Sequence, residues 1–113
     1  MIFCSKNEKG ELACDLICVD RKDLTRRVKP EPVGVVRANC PGRGMFAKCR
    51  ILIVGCVSDA EFWSKVKLKD MKRVKEMEAH REGFESWGGL QDWFVKKYGE
   101  YPVGLYRIEF RRV

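Results

Sequence analysis

The stretch Met45-Phe46-Ala47-Lys48-Cys49-Arg50-Ile51-Leu52-Ile53-Val54-Gly55-Cys56-Val57 decides the fold. Ile51, Ile53, Val54 and Val57 enrich it in β-branched side chains, which suit a pleated, half-buried surface. It predicts a long strand at the centre of a sheet, with a bulge at Gly55. Its uninterrupted apolar part, 51–57, is strand-sized and well short of the ~20 residues that span a bilayer.

The flanks set the topology. Upstream, Val33-Gly34-Val35-Val36-Arg37-Ala38 predicts a strand, and Pro41-Gly42 predicts a turn across 39–44. Further back, 1–4 predicts a short opening strand. Apolar residues at 12, 13, 16, 17 and 19 then have helical spacing, entered from Gly10 and ended at Asp20. Residues 24–28 predict a strand, and Pro30 and Pro32 force an extended loop after it.

Downstream, Phe62, Ser64, Val66 and Leu68 alternate as in a strand. Asp70 is placed to cap a helix with Met71, Val74 and Met77 on one face, ended by Gly83. Ser86 caps a second helix whose Trp87, Leu90, Phe94 and Tyr98 recur at three- and four-residue steps, with Gly99 closing it. Val103, Leu105, Ile108 and Phe110 predict a last strand. Its alternation slips between Leu105 and Ile108, so Tyr106 can share the inner face with Ile108. Runs of strands with helices set apart imply an α+β fold, and 113 residues imply one domain, 1–113.

Composition narrows the partners. Apolar residues make up 45% and charged residues 35%, which predicts a folded domain rather than a disordered chain. Residues 1–6 lack the charged-then-apolar pattern of a secretion signal, predicting a cytoplasmic location. No segment calls for a membrane. The cysteines Cys4, Cys14, Cys18, Cys40, Cys49 and Cys56 include no C-x-x-C pair, and the sole histidine is His80. The reading is small buried apolar side chains, with no metal and no cofactor. The formal charge of +7 favours an anionic partner, nucleic acid above all.

That charge is concentrated in Asp20-Arg21-Lys22-Asp23-Leu24-Thr25-Arg26-Arg27-Val28-Lys29-Pro30-Glu31-Pro32, with a second basic cluster at Arg107, Arg111 and Arg112. Crowding like charges costs folding energy, and an anionic or polar ligand is the simplest compensation. Arg21, Lys22, Arg26, Arg27 and Lys29 are therefore the candidate nucleic-acid-binding residues. Trp93 lies off the helical stripe and Trp63 follows the loop-like Ser58-Asp59-Ala60-Glu61, so both are candidates for stacking on a base, whereas Trp87 and Phe94 read as core.

The same stretch resembles the G-R-K-T-x-T-R-R-x-x-K-P-x-P segment of ASCH-domain proteins, especially the compact bacterial and phage ones. A second block is similar to that family's C-terminal third: Glu82-Gly83-Phe84-Glu85-Ser86, then Tyr98-Gly99, then Tyr106-Arg107-Ile108-Glu109-Phe110. The resemblance implies a small PUA-like β-barrel with helices packed over its mouth. It also implies RNA or nucleotide binding in a basic cleft.

Lys22, Thr25 and Glu82 match the catalytic lysine, threonine and glutamate of the family's N4-acetylcytidine amidohydrolases. The resemblance thus raises a hydrolase acting on N4-acylated cytidine as an alternative. Such chemistry needs a threonine hydroxyl activated by a lysine of lowered pKa, with a carboxylate to protonate the departing amine. Asp23 stands where the family often has Thr, and a carboxylate beside Lys22 would keep the lysine cationic. A third reading is a non-enzymatic module, of phage type, whose basic face docks on a host protein.

Overall fold

A computed structural model describes the chain apart from residue 4 and residues 41–44, with backbone alone at 40 and 45–49. Its spine is β3 (Met45–Ser58), paired on one side with β2 (Gly34–Cys40) and on the other with β4 (Tyr106–Arg112). β1 (Leu24–Arg27) adds outside β4, giving the antiparallel order β1-β4-β3-β2. The sheet curls as a half-barrel with β1 and β2 as its edges. The expected opening strand shrinks to a parallel bridge between Ile2 and Asn39, with Phe3 N–H donating to the Asn39 carbonyl. Most of the expected turn at 39–44 lies outside the described residues, and Asn39 and Cys40 belong to β2.

β3 carries the expected bulge. Ile53 faces Phe110 while Gly55 faces Glu109, so Val54 is the extra residue. Before it, Ile51 and Ile53 point into the core; after it, Cys56 does. On that inner face Ile108 and Phe110 of β4 join Phe3, Ala13, Cys14 and Ile17, and Tyr106 packs against them, as the slipped alternation allowed. Ala13, Cys14 and Ile17 belong to the short α1 (Ala13–Cys18). Cys14 is buried but disulfide-bonded, which departs from the plain apolar reading, while Cys18 and Cys56 are free thiols.

Two expectations downstream of β3 fail. The alternating residues 62–68 are not a strand: α2 (Asp59–Ser64) occupies their first half, and a 3-10 turn covers Leu68–Asp70. Local capping outweighs alternation here, because the Ser58 hydroxyl accepts from Glu61 N–H and two acidic residues sit in the first turn. α3 (Met71–Arg81) starts after Asp70 as expected, but the Asp70 side chain makes no capping hydrogen bond, Met77 is exposed, and the buried residues are Glu78 and Ala79. α4 (Trp87–Tyr98) matches expectation. Ser86 Oγ accepts from Gly89 N–H, and Leu90 and Phe94 are buried in a second core with Ala79, Phe84 and Leu105.

The exit from α3 positions the site. Gly83 N–H donates to the His80 carbonyl and Phe84 N–H to that of Ala79. These are the two bonds of a Schellman motif, and Phe84 and Ala79 make its apolar contact. The motif requires a left-handed residue, and Gly83 has φ 92°. A Cβ on Gly83 would also lie 2.7 Å from Leu16 Cδ1. Gly83→Ala is expected to destabilise the fold by about 1–3 kcal/mol. An unchanged urea midpoint would show that this turn is not under constraint.

Candidate functional site

The turn between α1 and β1 is pinned from both sides. Asp23 N–H donates to the Arg81 carbonyl at the end of α3, and the Asp23 carbonyl accepts from Phe110 N–H of β4. This drives Lys22 inward until the residue is 4% exposed. Lys22 Nζ donates to the Glu82 carbonyl at 2.7 Å and to the Leu24 carbonyl at 2.9 Å. The first acceptor is available because the Schellman turn leaves it unused by the helix. Burial lowers the Lys22 pKa to about 8, with Glu82 pulling it back up and Arg27 pushing it further down.

Lys22, Thr25 and Glu82, separated by up to sixty positions in sequence, line one cavity of about 240 Å³. Phe84, Trp93, Phe94 and Tyr98 supply aromatic walls. Phe94 and Tyr98 stack, with centroids 6.1 Å apart and planes 19° from parallel. Thr25 is 7% exposed and Glu82 4%. Burial pushes the Glu82 carboxyl up, against the pull of Arg26 and Lys22. The floor thus carries an amine with a lowered pKa, a hydroxyl, and a carboxyl with a raised pKa. Asp23, expected to keep Lys22 charged, instead accepts from Arg81 Nε at 2.9 Å and is a minor influence on the lysine.

Behind the floor lies an ion network that sequence reading missed. Arg26 and Arg107 are direct cross-strand partners on β1 and β4. Glu78 from α3 sits between them: its Oε1 accepts from Arg26 Nη2 at 2.7 Å and from Arg107 Nε, and its Oε2 from Arg107 Nη2 at 2.9 Å. Arg26 also donates through Nε to Asp59 at 2.7 Å and through Nη1 to Glu82 at 2.6 Å. Its guanidinium lies within 5.9 Å of the ring centres of Phe62, Trp63 and Trp87. Burial works against the Arg26 charge, yet Glu82 and Asp59 outweigh it and raise the pKa. Burial likewise opposes the Glu78 charge, but Arg107 and Arg26 hold that carboxyl below its ordinary value.

The candidate nucleic-acid-binding residues therefore separate. Lys22 is on the cavity floor, and Arg27 and Lys29 also line the cavity. Arg27 donates to the Ile2 carbonyl and lies 4.7 Å from the centre of the Phe3 ring. Arg26 is an internal hub with a fully buried side chain, not a surface contact for phosphate, because three carboxylates hold it. Arg21 points elsewhere and pairs with Glu11 at 2.9 Å. The second basic cluster also disperses, with Arg107 buried against Glu78 and Arg112 paired with Asp20 at 3.0 Å.

Trp93 lines the cavity, as its position off the helical stripe suggested, whereas Trp63 packs edge-on against Phe62 and Trp87. His80 is exposed, with Nε2 2.9 Å from the Glu85 carbonyl oxygen. The signal that would have exposed the network is the four-residue step from Glu78 to Glu82, two carboxylates on one helix face of a basic chain.

Among the described residues no group of three His, Cys, Asp or Glu is arranged to hold a metal ion, and no helix is long and apolar enough to cross a membrane. Compared with protein-family models, curated proteins and solved structures, the chain matches none.

Two measurements probe this site. Arg26→Met leaves the buried Asp59 and Glu82 without their arginine and Glu78 with Arg107 but not Arg26, and is expected to cost about 3–5 kcal/mol in chemical denaturation; a loss below about 1 kcal/mol would mean the network is not what holds β1 to α3. The second concerns Lys22, whose pKa is about 8 when folded and 10.5 as the ordinary value. The cost of burying the ammonium is full below about pH 8 and is relieved as pH rises towards 10.5. Relative to Lys22→Met, the native chain should gain up to about 3 kcal/mol of stability across that window. A difference that stays flat with pH would contradict a desolvated amine.

Proposed function

We propose that this chain is an ASCH-type, PUA-like domain that binds the nucleobase of an RNA or nucleotide in the cavity at Lys22, Thr25 and Glu82. The observation that carries this reading is the meeting of those three side chains in one aromatic-walled cavity. They belong to the two sequence blocks that carry the family resemblance. A cavity of about 240 Å³ is below the ~300–1,000 Å³ usual for drug-sized ligands, a size suited to a base rather than to a whole oligonucleotide. Aromatic walls bind bases through their π-faces. The PUA-like barrel of this reading would use the segment at Ile2 and Phe3, which pairs with β2 and meets Arg27 of β1, to bridge the two sheet edges.

A second reading is favoured by the Lys22 amine. With a pKa of about 8, a substantial fraction is neutral near physiological pH, as a general base requires. In this reading Lys22 takes the Thr25 proton while the hydroxyl oxygen attacks the acyl carbon of an N4-acylated cytosine. The C–N bond breaks, Glu82 protonates the departing amine, and water then releases the acyl group from Thr25 as a carboxylic acid. The two readings share one site and differ only in turnover.

Incubation with N4-acetylcytidine, with acetate release and Trp93-dependent fluorescence followed together, separates them. Hydrolysis is expected to rise with pH towards about 8 and to fall about 10²–10⁴-fold in Lys22→Ala and in Thr25→Ala. Fluorescence quenching without acetate supports binding alone. Neither signal, with capture of a protein from nuclease-treated lysate, would favour the docking module instead.

A further inference from the structure

The cavity is electrically uneven. On its floor, Arg26 is balanced by Asp59, Glu78 and Glu82, and Lys22 is engaged by two carbonyls. Two other lining cations differ in kind. Lys29 follows β1 and Lys97 belongs to the last turn of α4, so they come to the cavity from separate elements. Both are exposed, and among the described residues neither is ion-paired to a carboxylate. Lys97 is held in place by its neighbours, with Nζ 4.9 Å from the centre of the Trp93 ring and 5.4 Å from that of Tyr98. Arg27 adds a third charge to this lining, against one lining carboxylate outside the floor, Glu31. Positive charge is therefore in excess away from the floor, where the amine, hydroxyl and carboxyl meet.

We infer that Lys29 and Lys97 form a phosphate-binding mouth, so that the ligand is a nucleoside bearing a phosphate rather than a free nucleoside. This rests on the reading that a base occupies the cavity. A base has hydrogen-bonding edges and flat faces but no net charge, which fits the aromatic walls and the balanced floor. A phosphate is a dianion or a diester monoanion, and charge-assisted bonds to ammonium groups recognise it. Two lysines from separate elements act on it as paired point charges. The same chemistry is offered by a mononucleotide and by an RNA backbone.

The test is calorimetric titration of the Thr25→Ala chain, which blocks turnover, with N4-acetylcytidine, its 5′-monophosphate, and a short single-stranded RNA containing one N4-acetylcytidine. The monophosphate is expected to bind about tenfold tighter than the nucleoside at low salt, about 1.4 kcal/mol. That ratio should fall towards one when Lys29→Gln and Lys97→Gln are combined, two exposed positions whose change leaves the core intact. A steeper salt dependence for the RNA than for the monophosphate assigns the mouth to a polymer, and equal dependences assign it to a single phosphate. Equal affinities for nucleoside and monophosphate, or a preference that survives the double substitution, would overturn the phosphate mouth and leave the base pocket standing. Absence of binding by all three ligands in a folded chain would overturn both.

Discussion

Two arginines placed opposite each other on adjacent strands repel, and the fold is organised around the carboxylate that resolves this. Glu78 reaches from α3 to Arg26 and Arg107 at once, clamping the helix to β1 and β4. Such a buried arrangement is a weak source of net stability, because desolvating the charges offsets much of their attraction. Its value is geometric. Each guanidinium has a fixed fork of donors, so Asp59 at the start of α2, Glu78 within α3 and Glu82 at its end are held in fixed relation to one edge strand.

The chemistry of the cavity follows from that clamp and from one backbone turn. With α3 fixed, its exit aims the Glu82 carbonyl at Lys22, while the Glu82 side chain turns to Arg26. One residue thus serves two partners, its backbone the lysine and its carboxylate the arginine. Lys22 is satisfied by neutral acceptors, which meet its hydrogen-bonding needs without supplying a full compensating charge. Burial then dominates its titration. Asp23 would have altered this, but Arg81 draws it aside.

Much of the architecture was legible from short-range signals. The central strand, its bulge, the Ser86 cap and the Gly83 exit are each encoded by a few adjacent residues, and each forms. The strand expected over 62–68 failed for the same reason, because a cap at Ser58 is also local and outweighed a four-residue alternation. The face of α3 was misread because hydrophobic periodicity treats Glu78 as a surface residue. Only the cross-strand pairing of Arg26 with Arg107, a long-range fact, makes it an inside one. The three floor residues were legible through resemblance, not through spacing. The separate fates of Arg21, Arg26 and Lys29 were not legible at all, since direction along a strand or turn depends on what packs against it.

The extra residue at Val54 reaches further than its own strand. It shifts the alternation of β3 by one place, so that Cys56 opposite Ile108 turns inward and the strand reaches Ser58 in the phase that starts α2 there. Asp59 meets Arg26 only because of that count. A single-codon deletion at this point would look harmless in a tolerant stretch of aliphatic residues. Yet it would rotate everything after it by half a pleat and detach the helix start from the arginine. Length in this strand is therefore under tighter constraint than identity, and natural variation here should favour exchanges of side chain over insertions or losses.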